Sequence, residues 1–218
     1  MEQAQAKIIQ AVQSFVQSKC QEDYSGHDWW HIVRVVHLSQ TIAKVEQADS
    51  FIVTLAALLH DSMDEKLVSD PKKAQMQMQN FLIAQGLSVE RCKQIFTIIE
   101  EISFKGGHNV KQPSSLESKI VQDADRLDAI GAIGIARVMC YSGNKGRLIH
   151  DPNKLPRENL TLAEYRNGQD TAIMHFYEKL LKLKDLMHTD YAKKLAEQRH
   201  QFMCNYLEEF YLEWDGKR

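Results

Sequence analysis

His60 and Asp61 close the apolar part of the stretch LAALLHDSMDEK, Leu55 to Lys66, and Asp64 and Glu65 follow directly. Residues 51–59, FIVTLAALL, are apolar at every position except Thr54. A helix that is apolar all round is packed on several sides, so this histidine and aspartate emerge from the interior. An ionised carboxylate there is costly unless it is paired or bound to a cation. A divalent metal accepts a neutral imidazole nitrogen and a carboxylate oxygen together. Adjacent helical residues point about 100° apart, so both reach one ion most readily at a helix end.

Further ligands are at hand elsewhere. The segment SGHDWWHIVRV offers His27 and His31. Asp28 suits an N-cap, which places His31 in the first turn of the following helix and Arg34 one turn later on the same side. The segment VQDADRLDAIGAIGIARV brings Asp123, Asp125 and Asp128, with Arg126 among them. Gly131 and Gly134 leave room for close approach of another helix. A salt-bridge cluster is the competing reading of these acids. On residue types alone Asp123 and Asp125, which flank Ala124, are both candidate ligands.

The elements that position these groups are helices. Ile8, Val12 and Phe15 share a face, as do Val35, Leu38, Ile42 and Val45, and Ile95, Ile98, Ile99 and Ile102. Ile173, Phe176, Leu180 and Leu183 form another stripe, and Phe202, Tyr206 and Phe210 one in the last helix. No alternating strand pattern and no glycine-rich phosphate loop is present. Breaks are expected near Gly26, Asp49–Ser50, Asp70–Pro71, Gly86 and Gly106–Pro113. An irregular loop spans 142–168, followed by helices over 169–215. That loop is either a surface connection or a lid offering Lys145, Arg147 or Arg157 to an anion.

The order His31, His60-Asp61, Asp125 resembles the signature of the HD-domain metal-dependent phosphohydrolases. HIVRV is similar to that family's first-histidine helix, LAALLHDSMDE to its HD helix, and DADRLDAIGAIGIAR to its last-aspartate helix. These motifs cover about residues 20–140. HFYEKLLKL and AEQRHQFM extend the likeness to a subgroup of small stand-alone bacterial HD hydrolases.

The resemblance implies an all-α fold, a compact HD-domain bundle with additional C-terminal helices, as a single domain over 1–218. It implies one metal held by His31, His60, Asp61 and Asp125. No second HD motif argues for two metals. Asp64 and Glu65 match the acidic pair that (p)ppGpp hydrolases carry after their HD, associated there with orienting water. The order here is Asp-Glu, so either acid is the candidate general base. Arg34, Arg126, Lys105 and Lys179 are candidate phosphate clamps. Mixed nitrogen and oxygen ligands favour Mn²⁺, with Fe²⁺, Co²⁺, Ni²⁺, Zn²⁺ or Mg²⁺ as alternatives.

The expected activity is hydrolysis of nucleoside or deoxynucleoside triphosphates to monophosphate and pyrophosphate. A phosphomonoesterase or nucleotidase acting on phosphate esters is the alternative, and a catalytically silent metal-containing sensor the second. Trp29, Trp30, Phe104, Tyr141 and Tyr165 are candidates for stacking a base, with core or rim packing as the plainer reading.

Composition narrows the partners. A formal net charge of −2 gives no field that recruits nucleic acid or an anionic membrane. The start MEQAQAKIIQAVQ lacks the pattern of a signal peptide, and no apolar run is long enough to span a bilayer. The four cysteines, Cys20, Cys92, Cys140 and Cys204, are scattered and form no CxxC pair. Reduced, packed thiols in a cytoplasmic protein are expected, with Cys140 a small buried filler. A small phosphorylated substrate is the expected partner, and the oligomeric state is open between monomer and homodimer. His37, His188 and His200 are expected to be surface or packing residues. His175 and Lys179, spaced i,i+4, are expected on a solvated face.

Overall fold

Acidic and hydroxyl side chains cap the starts of helices in the computed structural model, which describes residues 2–19, 28–62, 70–102, 112–157 and 170–218. Asp28 accepts from the His31 amide at 2.8 Å and opens α2, Trp29–Glu46. Asp49 accepts from Phe51 and Ile52 at 3.0 and 3.1 Å and opens α3, Ser50–Leu59. Asp70, followed by a proline at the first helical position, opens α4, Pro71–Ala84. Thr171 and Thr189 do the same for α8, Ala172–Glu178, and α9, Asp190–Trp214. Each such cap satisfies an otherwise orphaned amide and is worth about 1 kcal/mol. The remaining helices are α1, Glu2–Lys19; α5, Val89–Ile102; α6, Leu116–Asp128; and α7, Gly131–Asn144. A 3₁₀ helix spans Leu180–Leu186. Among the described residues there is no strand.

These helices fall into two compact units, one reaching Ala124 and the other starting at Asp125, so the division lies inside the continuous helix α6. In the first unit α3 is the hub. Every residue from Phe51 to Leu59 is buried, and α1, α2 and α5 pack around it. The isoleucine stripe of α5 is buried as expected, together with Cys92 and Phe96.

The end of α5 is tied to the start of α6 by a buried carboxylate. Glu101 accepts from the Ser114 amide at 3.1 Å and from the hydroxyls of Ser114 and Ser118, both at 2.6 Å. Its own carbonyl accepts from the Gln122 amide nitrogen at 3.3 Å. Three donors thus converge on one buried carboxylate, which offsets the cost of enclosing it.

In the second unit α9 packs on α7 and on the 3₁₀ helix, and α8 packs on α7 and the 3₁₀ helix. The stripe Ile173, Phe176, Leu180 and Leu183 is buried. The buried face of α9 runs instead through Ala192, Ala196, Met203 and Leu207, and Phe202 is exposed. Small residues let α9 approach its neighbours, while Tyr206 and Phe210 line the flank, Tyr206 stacking on Phe176. Gly131 adopts φ +75°, and a Cβ there would meet the Arg199 side chain at 2.9 Å. Arg199 passes over this glycine to donate to the Leu127 carbonyl, capping the end of α6. Gly134 makes its close approach to the backbone of Ala129, not to another helix.

Helix α7 extends to Asn144, so the first three residues of the expected loop at 142–168 are helical. Beyond it, the carbonyls of Leu148 and Ile149 accept from the amides of Ala172 and Ile173, both at 3.0 Å. Two donors at the start of α8 are thereby satisfied by a segment more than twenty residues upstream.

Candidate metal centre

Helix α2 brings His31 in its first turn, fully buried, because the Asp28 cap fixes where that turn starts. Helix α3 brings His60 as its C-cap residue, still with helical backbone angles. The Nδ1 of His60 lies 2.8 Å from the Ala57 carbonyl. A carbonyl only accepts, so Nδ1 carries the proton and Nε2 is the ring nitrogen turned toward the candidate ligands. That Nε2 faces the Nε2 of His31 at 3.2 Å.

Asp61 sits beside both rings, its carboxylate oxygens 3.5 Å from His31 Nε2 and 3.4 Å from His60 Nε2. Helix α6 supplies Asp125. One ligand atom each from His31, His60 and Asp125 lie within 4.8 Å of one another. Among the described residues this is the one such group, and it takes Asp125 from α6 and not Asp123, which is fully buried.

The donor set fits a divalent cation. Two ligands at adjacent positions on one ion stand about 3.0–3.4 Å apart for the usual bond lengths. His31 and His60 at 3.2 Å and His60 and Asp61 at 3.4 Å fall in this range, His31 and Asp61 at 3.5 Å lie just beyond it, and Asp125 joins the two histidines in a group within 4.8 Å. Two imidazoles with carboxylates suit a first-row transition metal better than an all-oxygen ion.

The other candidates are distributed differently. Arg34 is half-buried, one turn along α2 from His31. Arg126 donates to the Leu186 carbonyl and lies 3.2 Å from His188 Nε2, tying the end of α6 to the segment after the 3₁₀ helix. Lys179 is the C-cap residue of α8. Asp64, Glu65 and Lys105 lie outside the described residues, as do His27, Phe104 and Tyr165.

Arg147 and Arg157, the described arginines of the 142–168 segment, are in ion pairs. Arg157 grips the buried Glu178 carboxylate through Nε at 2.9 Å and Nη2 at 3.1 Å. Arg147 reaches the buried Asp170 at 3.0 Å and lies over the Tyr141 ring, with Lys145 beside it. These contacts hold the described part of the segment in place.

Two residues differ from the sequence reading. Cys140 is exposed, because α7 turns that face outward; Cys92 is buried, and the described cysteines are free thiols. His175 is not on a solvated face. Its ring is largely enclosed, 3.9 Å from Asp170, and burial with the nearby charges of Lys179 and Arg147 pushes its pKa down to about 3. His150 packs edge-on against Phe210, Tyr211 and Trp214. Sequence spacing carried no sign of that nest, since its partners lie some sixty residues away.

Comparison with known proteins agrees with this geometry. Residues 29–130 match the HD domain family model. YpgQ of Bacillus subtilis (strain 168) is 40% identical over 202 residues, covering 92% of this chain and 91% of that protein. The crystal structure of YpgQ in complex with ADP superposes with a TM-score of 0.77 at 38% identity, covering 95% of each chain. A Lactobacillus plantarum structure gives a TM-score of 0.83 at 44% identity, covering 96% of this chain and 98% of its own. An HD-superfamily hydrolase from Bacillus thuringiensis gives 0.77 at 39% identity, covering 97% and 98%. With an all-helical fold, matched motifs and two histidines converging with an aspartate, the chain belongs to the HD-domain superfamily of metal-dependent phosphohydrolases.

Proposed function

We propose that this protein hydrolyses nucleoside and deoxynucleoside triphosphates to the monophosphate and pyrophosphate. The observation that carries the reading is the convergence of His31, His60 and Asp125 at the end of a buried helix, with Asp61 against both rings. The nucleotide part is supported by YpgQ, a relative of nearly full length whose crystal structure holds ADP.

His31, His60, Asp61 and Asp125 would hold the cation, with Mn²⁺ the preferred one. When bound, a divalent cation there polarises a phosphoryl oxygen and lowers the pKa of a coordinated water. Asp64 or Glu65 orients the attacking water and takes its proton. Water adds at the α-phosphorus, the bond to the bridging oxygen breaks, and pyrophosphate leaves. Arg34 neutralises charge on the phosphates as a bidentate partner. Arg126, committed to Leu186 and His188, serves the site by fixing the end of α6 instead.

The test is a panel of nucleotides with Mn²⁺-loaded protein, assayed separately for orthophosphate and pyrophosphate, with Asp61→Ala as control. Pyrophosphate release that the substitution abolishes supports the reading. Orthophosphate without pyrophosphate replaces it with a phosphomonoesterase. Nucleotide binding with no turnover replaces it with a metal-containing sensor.

A further inference from the structure

The metal centre takes one ligand from α6, and which residue of that helix faces the histidines depends on how the helix is rotated about its axis. Asp123 and Asp125 are two positions apart, so they point roughly 160° away from each other. Ser115, Ser118, Gln122 and Asp125 follow one another at intervals of three, four and three, which confines them to about 80° of arc on one face. The same face that carries Asp125 therefore carries the residues that grip Glu101.

That grip has two points on α6, one turn apart. The Ser118 hydroxyl donates to the Glu101 carboxylate at 2.6 Å, and the Gln122 side chain donates to the Glu101 carbonyl at 3.3 Å. Ser115 supports the first, donating to the Ser118 hydroxyl at 3.1 Å and accepting from the Ser118 amide at 3.0 Å. Ser114 holds both carboxylate oxygens from the other side. A single attachment would leave the helix free to roll; two attachments on one stripe fix its rotation and its height.

We propose that Glu101 is a positioning residue for the metal centre: by gripping Ser118 and Gln122 it sets the rotation of α6 that aims Asp125 at His31 and His60. The lever is long. A side-chain atom about 6 Å from the helix axis moves about 1 Å for each 10° of roll, whereas metal–ligand distances tolerate only about 0.2 Å. A roll too small to disturb the apolar packing of α6 is large enough to pull a ligand off the ion. The proposal rests on the metal-site reading above.

The experiment is a Co²⁺ titration followed by the visible absorption of the bound ion, on wild type, Glu101→Gln, Ser118→Ala, Asp125→Ala and the double variant Glu101→Gln/Asp125→Ala. Glu101→Gln is expected to weaken Co²⁺ binding roughly tenfold, the size typical of lost outer support, and to alter the absorption band. Ser118→Ala moves both in the same direction by less, and serves alone if Glu101→Gln does not fold. In the Asp125→Ala background Glu101→Gln adds no further loss, because the ligand it positions is gone. Losses that add in the double variant mark general destabilisation and overturn the proposal. Wild-type affinity and spectrum in Glu101→Gln overturn it while leaving the metal site standing, provided Asp125→Ala is weakened. A wild-type protein that binds no Co²⁺ removes the site and the proposal together.

Discussion

The Nε2 atoms of His31 and His60 face each other across 3.2 Å, with the His60 ring oriented from behind by the Ala57 carbonyl. Two buried lone pairs cannot share that gap comfortably; one proton or one cation between them resolves the contact. Asp61 and Asp125 make the cation the better tenant.

Loading that site therefore stabilises the fold. At about a hundredfold excess over Kd, Mn²⁺ is expected to raise Tm by roughly 5–10 °C, since ligand binding at that ratio contributes about 2.7 kcal/mol. Chelation reverses the shift, and His31→Ala or Asp125→Ala abolishes it. Thermal melts with and without Mn²⁺ check this, and an unchanged Tm in a protein shown to bind the ion would contradict it.

Asp64 and Glu65 are assigned to the water and not to the metal. Alanine at the working acid lowers turnover by about 10²- to 10⁴-fold while Mn²⁺ affinity stays close to wild type. Steady-state kinetics beside a metal titration separate the two. Full turnover in both single variants would sink the assignment.

Arg157 matters to stability through Glu178, whose side chain is fully buried beneath it. Arg157→Ala removes both guanidinium donors, leaves the backbone amide of residue 157 at 3.0 Å from that carboxylate, and is expected to cost about 3 kcal/mol. Arg157→Lys loses the two-pronged geometry and falls between. Denaturant unfolding gives the order, and equal stability of all three proteins would refute it.

His175 gives the protein an acid-sensitive limb. Its pKa is depressed to about 3 in the fold, by burial and then by Lys179 and Arg147, against about 6.5 in an unfolded chain. The unfolded state therefore binds the extra proton between those values. The stability from a neutral His175 is complete above about pH 6.5 and is lost as pH falls toward 3, by at most about 1.4 kcal/mol per pH unit. His175→Gln should flatten this limb in melts from pH 7 to 4. A variant that tracks wild type at every pH would show that other groups carry the slope.

The helical architecture and the hub helix were legible because hydrophobic periodicity and aspartate caps are local signals. Phe51 to Leu59 could only be a core helix, and the polar pair ending it had to be explained. Residue types alone left Asp123 and Asp125 open, because the choice depends on the roll of α6, and only the family resemblance carried Asp125. The face of α9 was misread for a related reason. Large aromatics at 202, 206 and 210 drew the eye, while the close contact is made by Ala192 and Ala196, whose value lies in what they lack. His175 and His150 owe their surroundings to residues distant in sequence, which no spacing rule reports.

The two bonds that pin Leu148 and Ile149 to the first turn of α8 separate heredity of fold from heredity of loop. Both ends of the intervening sequence are anchored by backbone atoms, and the Thr171 hydroxyl at its far end supplies the side-chain cap that starts the helix. Changing the length between anchored ends is cheap, about 0.6 kcal/mol per doubling. Relatives can thus diverge in composition and length between these anchors while inheriting the same helix start, which makes the segment a natural place for lineages to differ.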